Sequence, residues 1–208
     1  MIYVLITTHP SRRFPGKNAA LARYTLDWAA AAALYCREEV KIVHAGPQRP
    51  AWLPAKVQHI HTAPESESHL ADVLHAEEVL APAAGDVMVL AQLTQPLRHV
   101  CLLAEVAEEL RRSGRSVITA AAQPSTEWRR TDASGRWGDK AAARIELHHD
   151  GTLYAWLPGR AAEIFDREAP HAVLRTGCRW ALVDVDHPDD LPPCLPTLWA
   201  HALHSDCP

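Results

Sequence analysis

A chain of 208 residues can bury a complete hydrophobic core, and this length predicts a single domain over residues 1–208. The net charge of −4 and the isoelectric point near 6.3 exclude a general affinity for nucleic acid, so any anion-binding site must be local. No apolar run approaches the roughly 20 residues that cross a bilayer, and the first residues lack a secretory signal. We therefore expect a cytoplasmic protein without membrane or nucleic-acid partners.

Buried apolar runs alternate with helical patterns along the chain. The predicted strands are residues 1–6, 39–44, 57–60, 86–91, 116–121, 152–157 and 180–184. The predicted helices are residues 19–35, 68–80 (with Ser68 as cap), 99–113 and 160–167. This alternation predicts an α/β fold, a three-layer αβα sandwich with a mostly parallel central sheet. Residues 123–150 form a polar insertion whose Trp128 and Trp137 favour packing or dimer contacts.

Cysteine and histidine give little indication of a metal centre. The five cysteines include no pair at a zinc-site spacing, and their odd number favours free thiols over a disulfide framework. The close histidine pairs, His59/His61 and His148/His149, have no third ligand at a recognisable spacing. We interpret the histidines as exposed or core imidazoles.

The loop over residues 7–18 is the first candidate site. It joins the carboxyl end of a buried strand to the start of a helix and carries Arg12, Arg13, Gly16 and Lys17. Ligands of open α/β sheets bind at this edge, and the amides of a helix start favour anions. The pattern predicts a phosphate-bearing ligand, the alternative being a solvated basic turn.

Four segments, in order, resemble one family and together span nearly the whole chain. They are residues 12–18 (Arg-Arg-Phe-Pro-Gly-Lys-Asn), 92–98 (Gln-Leu-Thr-Gln-Pro-Leu-Arg), 150–154 (Asp-Gly-Thr-Leu-Tyr) and 183–191 (Val-Asp-Val-Asp-His-Pro-Asp-Asp-Leu). These segments resemble the cytidylyltransferases that activate acidic sugars, the acylneuraminate enzymes and their relatives that act on ketodeoxyoctonate.

The resemblance implies a Rossmann-like nucleotide-diphospho-sugar transferase fold, similar to that of GT-A enzymes. It also implies transfer of CMP from CTP to an acidic sugar, with release of pyrophosphate, dependence on Mg²⁺ and a role in making cell-surface polysaccharide. The insertion at residues 123–150 would then serve a homodimer. Two alternatives stay open: a catalytically impaired nucleotide-binding or partner protein, and a nucleotide-sugar glycosyltransferase that uses Asp184 and Asp186 as its acidic pair.

Carried over residue by residue, the resemblance assigns a role to each candidate. The catalytic candidates are Lys17 and Arg12, which would neutralise phosphate charge. The nucleotide-binding candidates are Thr7, Thr8, Ser11, Arg13, Gly16, Asn18 and Thr94. The substrate-binding candidates are Gln92, Arg98, Asp150 and Tyr154. The Mg²⁺ candidates are Asp184 and Asp186, whose oxygens suit that ion.

Simpler interpretations exist for some of these residues. Asp184 and Asp186 could form a helix-capping turn before Pro188. Arg98 could pair with Glu105, and residues 150–151 could be a hairpin turn.

The first loop departs from the family pattern. Where the family has Ala-Arg-Gly-Gly-Ser, residues 7–11 read Thr-Thr-His-Pro-Ser, so an arginine and two glycines are replaced. Glycine lets a backbone approach a phosphate closely, and Pro10 removes an amide donor. The central expectation is that Lys17 and Asp186 nevertheless face one shared crevice.

Overall fold

A computed structural model describes residues 1–8, 16–63, 68–125, 144–166, 168–176, 184–190 and 193–204, with the backbone alone at 122–125, 144–150 and 204. The strands are β1 (Ile2–Thr7), β2 (Val40–Gly46), β3 (Gln58–His61), β4 (Val87–Ala91), β5 (Val117–Ser125), β6 (Arg144–Trp156) and β7 (Ala172–Thr176). The α-helices are α1 (Lys17–Ala32), α2 (His69–Leu80), α3 (Leu102–Ser113) and α4 (Leu195–His204). Short 3-10 turns cover Ala33–Tyr35, Ala161–Phe165 and Pro188–Asp190.

The described strands form one mixed sheet in the order β3-β2-β1-β4-β6-β5-β7. Strands β3, β2, β1 and β4 are mutually parallel, and β5 pairs parallel with β7. Strand β6 is antiparallel to both of its neighbours, β4 and β5. The predicted mostly parallel sheet is therefore confirmed.

Helices cover both faces of the sheet, as the sequence predicts. Successive residues of β1 point to opposite faces: Ile2 and Val4 pack in one cluster with α1 and α3, and Tyr3 and Leu5 pack in another with α2. A third cluster joins Ile6 to α1, α4 and the segment after β4 at the carboxyl edge of the sheet. The architecture is the expected three-layer αβα sandwich.

Strand β6 is longer than predicted, because it begins at Arg144 instead of residue 152. Its ladder with β5 shifts between Ile118 and Ala120, so the strand continues through a bulge that contains Gly151, at φ 67°. The buried hydroxyl of Thr119 donates to the Leu153 carbonyl at 3.2 Å and accepts from the Leu153 amide at 3.0 Å. The hairpin turn that we considered at residues 150–151 is therefore wrong.

Three further expectations change. Residues 172–176 form the edge strand β7, which the sequence did not predict, and the predicted helix at 160–167 is a 3-10 turn. The predicted strand at 180–184 lies outside the described residues except for Asp184. Cys101 is disulfide-bonded, contrary to the expectation of free thiols, whereas Cys36 and Cys194 are free.

Within the part of the chain that the structure describes, no helix has the length and hydropathy needed to cross a membrane.

Candidate functional site

The two ends of the chain meet through one ion pair at the carboxyl edge of the sheet. Gly16, at φ 85°, precedes α1 and places Lys17 in its first turn. The Lys17 Nζ atom lies 3.2 Å from Asp186 Oδ1, although 169 positions separate the two residues. The lysine side chain is 15% exposed and the aspartate side chain 50% exposed, so the pair borders solvent. The structure thus brings together the predicted phosphate-binding lysine and one predicted metal ligand.

Asp184 and Thr94 adjoin this pair. The amide of Val185 donates to the Thr94 carbonyl at 2.8 Å, which ties the acidic segment to the loop after β4. The pKa of Asp184 is raised above its usual value, chiefly because the surrounding protein removes water from the carboxylate. A hydrogen bond from the Thr94 side chain and the charge of Lys17 oppose this rise, whereas the charges of Asp186 and Asp190 add to it.

Asp190 makes the capping contacts that we considered for the other two acids. Its Oδ2 atom accepts hydrogen bonds from the backbone amides of Asp186, at 3.0 Å, and His187, at 2.7 Å. The capping turn therefore exists, but Asp190 satisfies it. The Asp186 carboxylate pairs with Lys17, and Asp184 bonds with Thr94.

The donor set at this edge suits Mg²⁺ better than zinc. Asp184 and Asp186 supply hard carboxylate oxygens, and Mg²⁺ in nucleotide sites is commonly held by one or two carboxylates together with phosphate oxygens. Among the described residues, no group of three or more histidine, cysteine, aspartate or glutamate side chains could hold a metal ion. Two acids beside the lysine that the sequence predicts to bind phosphate fit an ion that arrives with a nucleotide.

The loop after β4 also contacts the bulge of β6. Gln92 Nε2 lies 3.5 Å from the hydroxyl of Tyr154, which is 8% exposed. A Cβ atom on Gly151 would lie 3.4 Å from Gln92 Oε1, so the backbone of the bulge packs close to this side chain. Asp150 belongs to the same part of β6, but its side chain lies outside the described part of the chain. Gln92, Tyr154 and the bulge therefore form a polar cluster at the same edge of the sheet.

Arg98 occupies the interior, away from the position expected of a residue that contacts a substrate. It is 1% exposed. Its guanidinium donates to the Thr152 carbonyl at 3.3 Å, to Thr25 Oγ1 at 3.3 Å and to the Gln92 carbonyl, and it lies 5.0 Å from the ring centroid of Trp28. Arg98 thus holds the backbone carbonyl of Gln92 through a hydrogen bond from the interior. Direct substrate binding by Arg98 stays an untested prediction.

Thr7, the last residue of β1, and Thr8, which follows it, contact histidines that the sequence analysis did not select. Thr7 Oγ1 lies 2.9 Å from His69 Nδ1, and Thr8 Oγ1 lies 2.9 Å from His44 Nε2. His44 is completely buried near the end of β2. His44 lies between the buried Val43 and Ala45 on the strand next to β1. A histidine in this short apolar stretch was the sequence signal that could have identified it.

The rest of the predicted loop contributes less to this description. Ser11, Arg12 and Arg13 lie outside the described residues, and their predicted roles stay predictions. Asn18 lies in the first turn of α1, one residue after Lys17.

No protein-family model matches the sequence, and no curated protein matches it either. Similarity is found among solved structures. The 2-C-methyl-D-erythritol 4-phosphate cytidylyltransferase of Francisella tularensis aligns with a TM-score of 0.58 at 15% identity, over 91% of this chain and 95% of that chain. CMP:2-keto-3-deoxy-manno-octonic acid synthetase, in complex with CTP, aligns with a TM-score of 0.57 at 13% identity, over 96% and 97%. Rv0371c from Mycobacterium tuberculosis H37Rv aligns with a TM-score of 0.60 at 16% identity, over 91% and 95%.

At identities this low, the TM-scores of 0.57 to 0.60 establish a shared fold and leave the function open. The fold that the four sequence segments implied is therefore confirmed: it is one that cytidylyltransferases also have.

Proposed function

We propose that this protein is a nucleotidyltransferase that transfers CMP from CTP to an acidic sugar or a related acceptor and releases pyrophosphate. The observation that carries the proposal is the meeting of Lys17 with Asp186, beside Asp184 and Thr94. This cluster lies at the edge where such sheets bind ligands, on a fold that resembles a synthetase complexed with CTP.

The reaction requires charge neutralisation and alignment more than covalent catalysis. An acceptor hydroxyl oxygen forms a bond to the α-phosphorus of CTP, and the bond from that phosphorus to the bridging oxygen of pyrophosphate breaks. The electron pair leaves with pyrophosphate, and the hydroxyl proton passes to water. Lys17, with Arg12 and Arg13 as its proposed partners, would neutralise the phosphate oxygens as negative charge develops on them.

Asp184 and Asp186 are the residues proposed to hold Mg²⁺. When bound, this ion supplies charge neutralisation for the triphosphate and the departing pyrophosphate. The Thr94 side chain would keep the Asp184 carboxylate in place through the hydrogen bond that it already makes. Asp186 must share its carboxylate with Lys17 or release it, because Oδ1 already contacts the lysine.

The acceptor is proposed to lie at the cluster of Gln92 and Tyr154, next to the bulge of β6. Both side chains can donate and accept hydrogen bonds, which suits the hydroxyl groups of a sugar. The buried guanidinium of Arg98 supports this site by fixing the Gln92 carbonyl. Strands β5 and β6 pair as far as Ser125 and Arg144, and this long hairpin supports the proposal of a dimerisation arm in the 123–150 segment.

A catalytically impaired nucleotide-binding protein is the second candidate, and two observations favour it. Lys17 is already engaged by Asp186. The hydroxyls of Thr7 and Thr8 are already engaged by histidines.

The deciding experiment measures pyrophosphate release from CTP and Mg²⁺ with a panel of acidic sugars. Lys17→Ala should lower turnover by roughly a hundredfold or more and leave the urea unfolding midpoint nearly unchanged. Arg23→Ala is the matched control, because Arg23 is an exposed cation on the same helix that pairs with Asp27 one turn away. Full activity of Lys17→Ala would refute the assignment of the loop. A thermal shift with nucleotide but no pyrophosphate release with any acceptor would support the second candidate, and no response to any nucleotide would refute both.

A further inference from the structure

Thr8, His44 and His59 form a chain of hydrogen bonds across three neighbouring strands, which we call the histidine relay. Thr8 Oγ1 lies 2.9 Å from His44 Nε2, and His44 Nδ1 lies 2.9 Å from His59 Nδ1. Parallel pairing of β2 with β3 places His44 directly opposite His59. The relay therefore connects Thr8, in the loop over residues 7–18, to the half-buried imidazole of His59 two strands away.

Proton counting restricts what this relay can do. A neutral imidazole carries one N–H, so its other ring nitrogen can only accept. When His44 donates from Nδ1 to His59, its Nε2 must accept the Thr8 hydroxyl proton, and Thr8 can then offer nothing but lone pairs to a ligand. When His44 instead donates from Nε2 to Thr8, the Thr8 O–H is available to another acceptor.

Protonation of His59 selects between these two states. An imidazolium donates from both nitrogens, so a protonated His59 must donate its Nδ1–H to His44 Nδ1. His44 must then carry its own proton on Nε2 and donate to Thr8 Oγ1. We propose that the histidine relay makes Thr8 a hydroxyl donor to a phosphate oxygen when His59 is protonated, so that nucleotide binding is linked to proton uptake at His59. This inference rests on the proposed function, together with the sequence-based expectation that Thr8 binds the nucleotide.

Burial decides which of the two histidines takes the proton. His44 is completely buried, and loss of water lowers its pKa to about 4, with smaller contributions from His59 and Arg49. His59 is only half-buried; its pKa is also lowered, first by desolvation and then by the charges of Arg49 and His61. His44 therefore stays neutral above about pH 5 and acts as the connecting group, whereas His59 can exchange its proton with solvent.

Among the described residues, the charges of Arg49 and His61 act on His59. Arg49, in the segment between β2 and β3, donates to the carbonyls of Val57 at 3.1 Å and Pro54 at 2.8 Å, so its positive charge is held near both histidines. His61 follows on β3, and its carbonyl lies 3.1 Å from His75 Nε2 of α2. The charges of Arg49 and His61 oppose protonation of His59, and an incoming phosphate would favour it.

Gly46 leaves the space that the Thr8 hydroxyl occupies at one end of the relay. A Cβ atom at this glycine would lie 2.5 Å from Thr8 Oγ1, 3.0 Å from His44 Cε1 and 3.3 Å from the Thr8 carbonyl oxygen. Real Cβ atoms essentially never come as close as 2.5 Å, so the hydroxyl fills the space that a side chain at position 46 would occupy. The rings of His44 and Trp52 also lie nearly perpendicular with centroids 5.5 Å apart, a contact that limits rotation of the imidazole.

The test is calorimetric titration of the full chain with CTP and, separately, with inorganic triphosphate, each with Mg²⁺, between pH 5.5 and 8. Two buffers of different ionisation enthalpy report the protons taken up. Wild type should bind more tightly at pH 5.5 than at pH 8 and take up protons on binding. Thr8→Val should lose about tenfold in affinity at pH 5.5 and little at pH 8, because one hydrogen bond to a charged acceptor is lost.

Three variants and one control separate the relay from simple charge attraction. Thr8→Val keeps the positive charge of His59, so any remaining proton uptake in that variant measures attraction alone. Thr8→Ser restores the hydroxyl and should restore most of the affinity at pH 5.5. His59→Gln should bind with wild-type affinity at pH 8 and show no proton-linked gain, whereas His75→Gln, which alters an exposed histidine outside the relay, should behave as wild type.

Nitrogen-detected NMR of the histidine rings gives a readout that needs no ligand. As His59 is protonated, His44 should carry its proton on Nε2; a proton that stays on Nδ1 would overturn the relay. Binding with the same pH dependence in wild type, Thr8→Val and His59→Gln would also overturn it, yet leave the proposed function standing. No binding of CTP or triphosphate by wild type at any pH would overturn both.

Discussion

Replacing Arg98 by methionine tests whether this residue supports the site or contacts the substrate. The side chain is 1% exposed and donates to the Thr152 carbonyl, Thr25 Oγ1 and the Gln92 carbonyl while it lies over Trp28. Methionine keeps much of the aliphatic volume and removes every donor. The variant therefore leaves three buried oxygen atoms without these hydrogen bonds.

The expected cost follows from those contacts. Each buried acceptor that loses its donor costs about 1–3 kcal/mol, and a desolvated cation over an aromatic ring contributes up to about 2 kcal/mol more. Removing the buried charge of Arg98 offsets part of this loss of stability, because the cost of desolvating the charge disappears. We expect a net loss of about 4 kcal/mol in the free energy of unfolding, which for a chain of this size lowers Tm by about 10 °C.

Urea unfolding followed by tryptophan fluorescence and circular dichroism measures the change. Arg112→Met is the matched control, since that arginine is 75% exposed and pairs with Glu109 on the same helix; its effect should stay under about 1 kcal/mol. Arg98→Lys should fall in between, because one ammonium cannot reach three acceptors as a planar guanidinium does. An unfolding midpoint of Arg98→Met equal to that of wild type, together with a raised KM for the acceptor, would refute this reasoning and restore direct substrate binding.

Three further predictions concern stability. Ser68→Ala should cost about 1 kcal/mol in urea unfolding, because the Ser68 hydroxyl caps α2 by accepting from the Ala71 amide at 3.3 Å; no change would mean that water replaces the cap. Gly46→Ala should cost about 1–3 kcal/mol, because the added methyl would overlap Thr8 Oγ1 at 2.5 Å; wild-type stability would show that Thr8 can move aside. Because the folded pKa of His44 lies near 4, below the unfolded value of about 6.5, its contribution is present above pH 6.5 and lost as pH falls towards 4. His44→Gln should flatten stability over that window, and an unchanged slope would assign the pH dependence to other groups.

Features that depend on neighbours along the chain could be predicted from the sequence. The cap at Ser68 requires only a serine before a helical pattern, and the structure has it within one residue of the predicted start. The meeting of Lys17 with Asp186 could also be anticipated, although these residues are far apart in sequence. The sequence predicts a strand before each of them, and the carboxyl ends of parallel strands share one edge of the sheet.

Features that depend on distant packing could not be predicted. A lone arginine after a strand looks like a ligand-binding cation, and only the fold shows that Thr25 and Trp28 of α1 enclose Arg98. An Asp-Gly pair likewise indicates a turn. At Gly151 the chain continues as β6, because Thr119 of the neighbouring strand satisfies the backbone groups that the bulge leaves unpaired.

The same distant contacts link formation of the site to completion of the fold. Lys17 lies in the first helix and Asp186 follows the last strand, while Thr94 comes from the middle of the chain. None of these residues has its site neighbours within its own element, so a partly folded chain cannot present the cluster. A nucleotide that binds this cluster must therefore stabilise the whole domain against unfolding by RT ln(1 + [L]/Kd). A ligand that protected only one end of the chain from hydrogen exchange would show that it binds elsewhere.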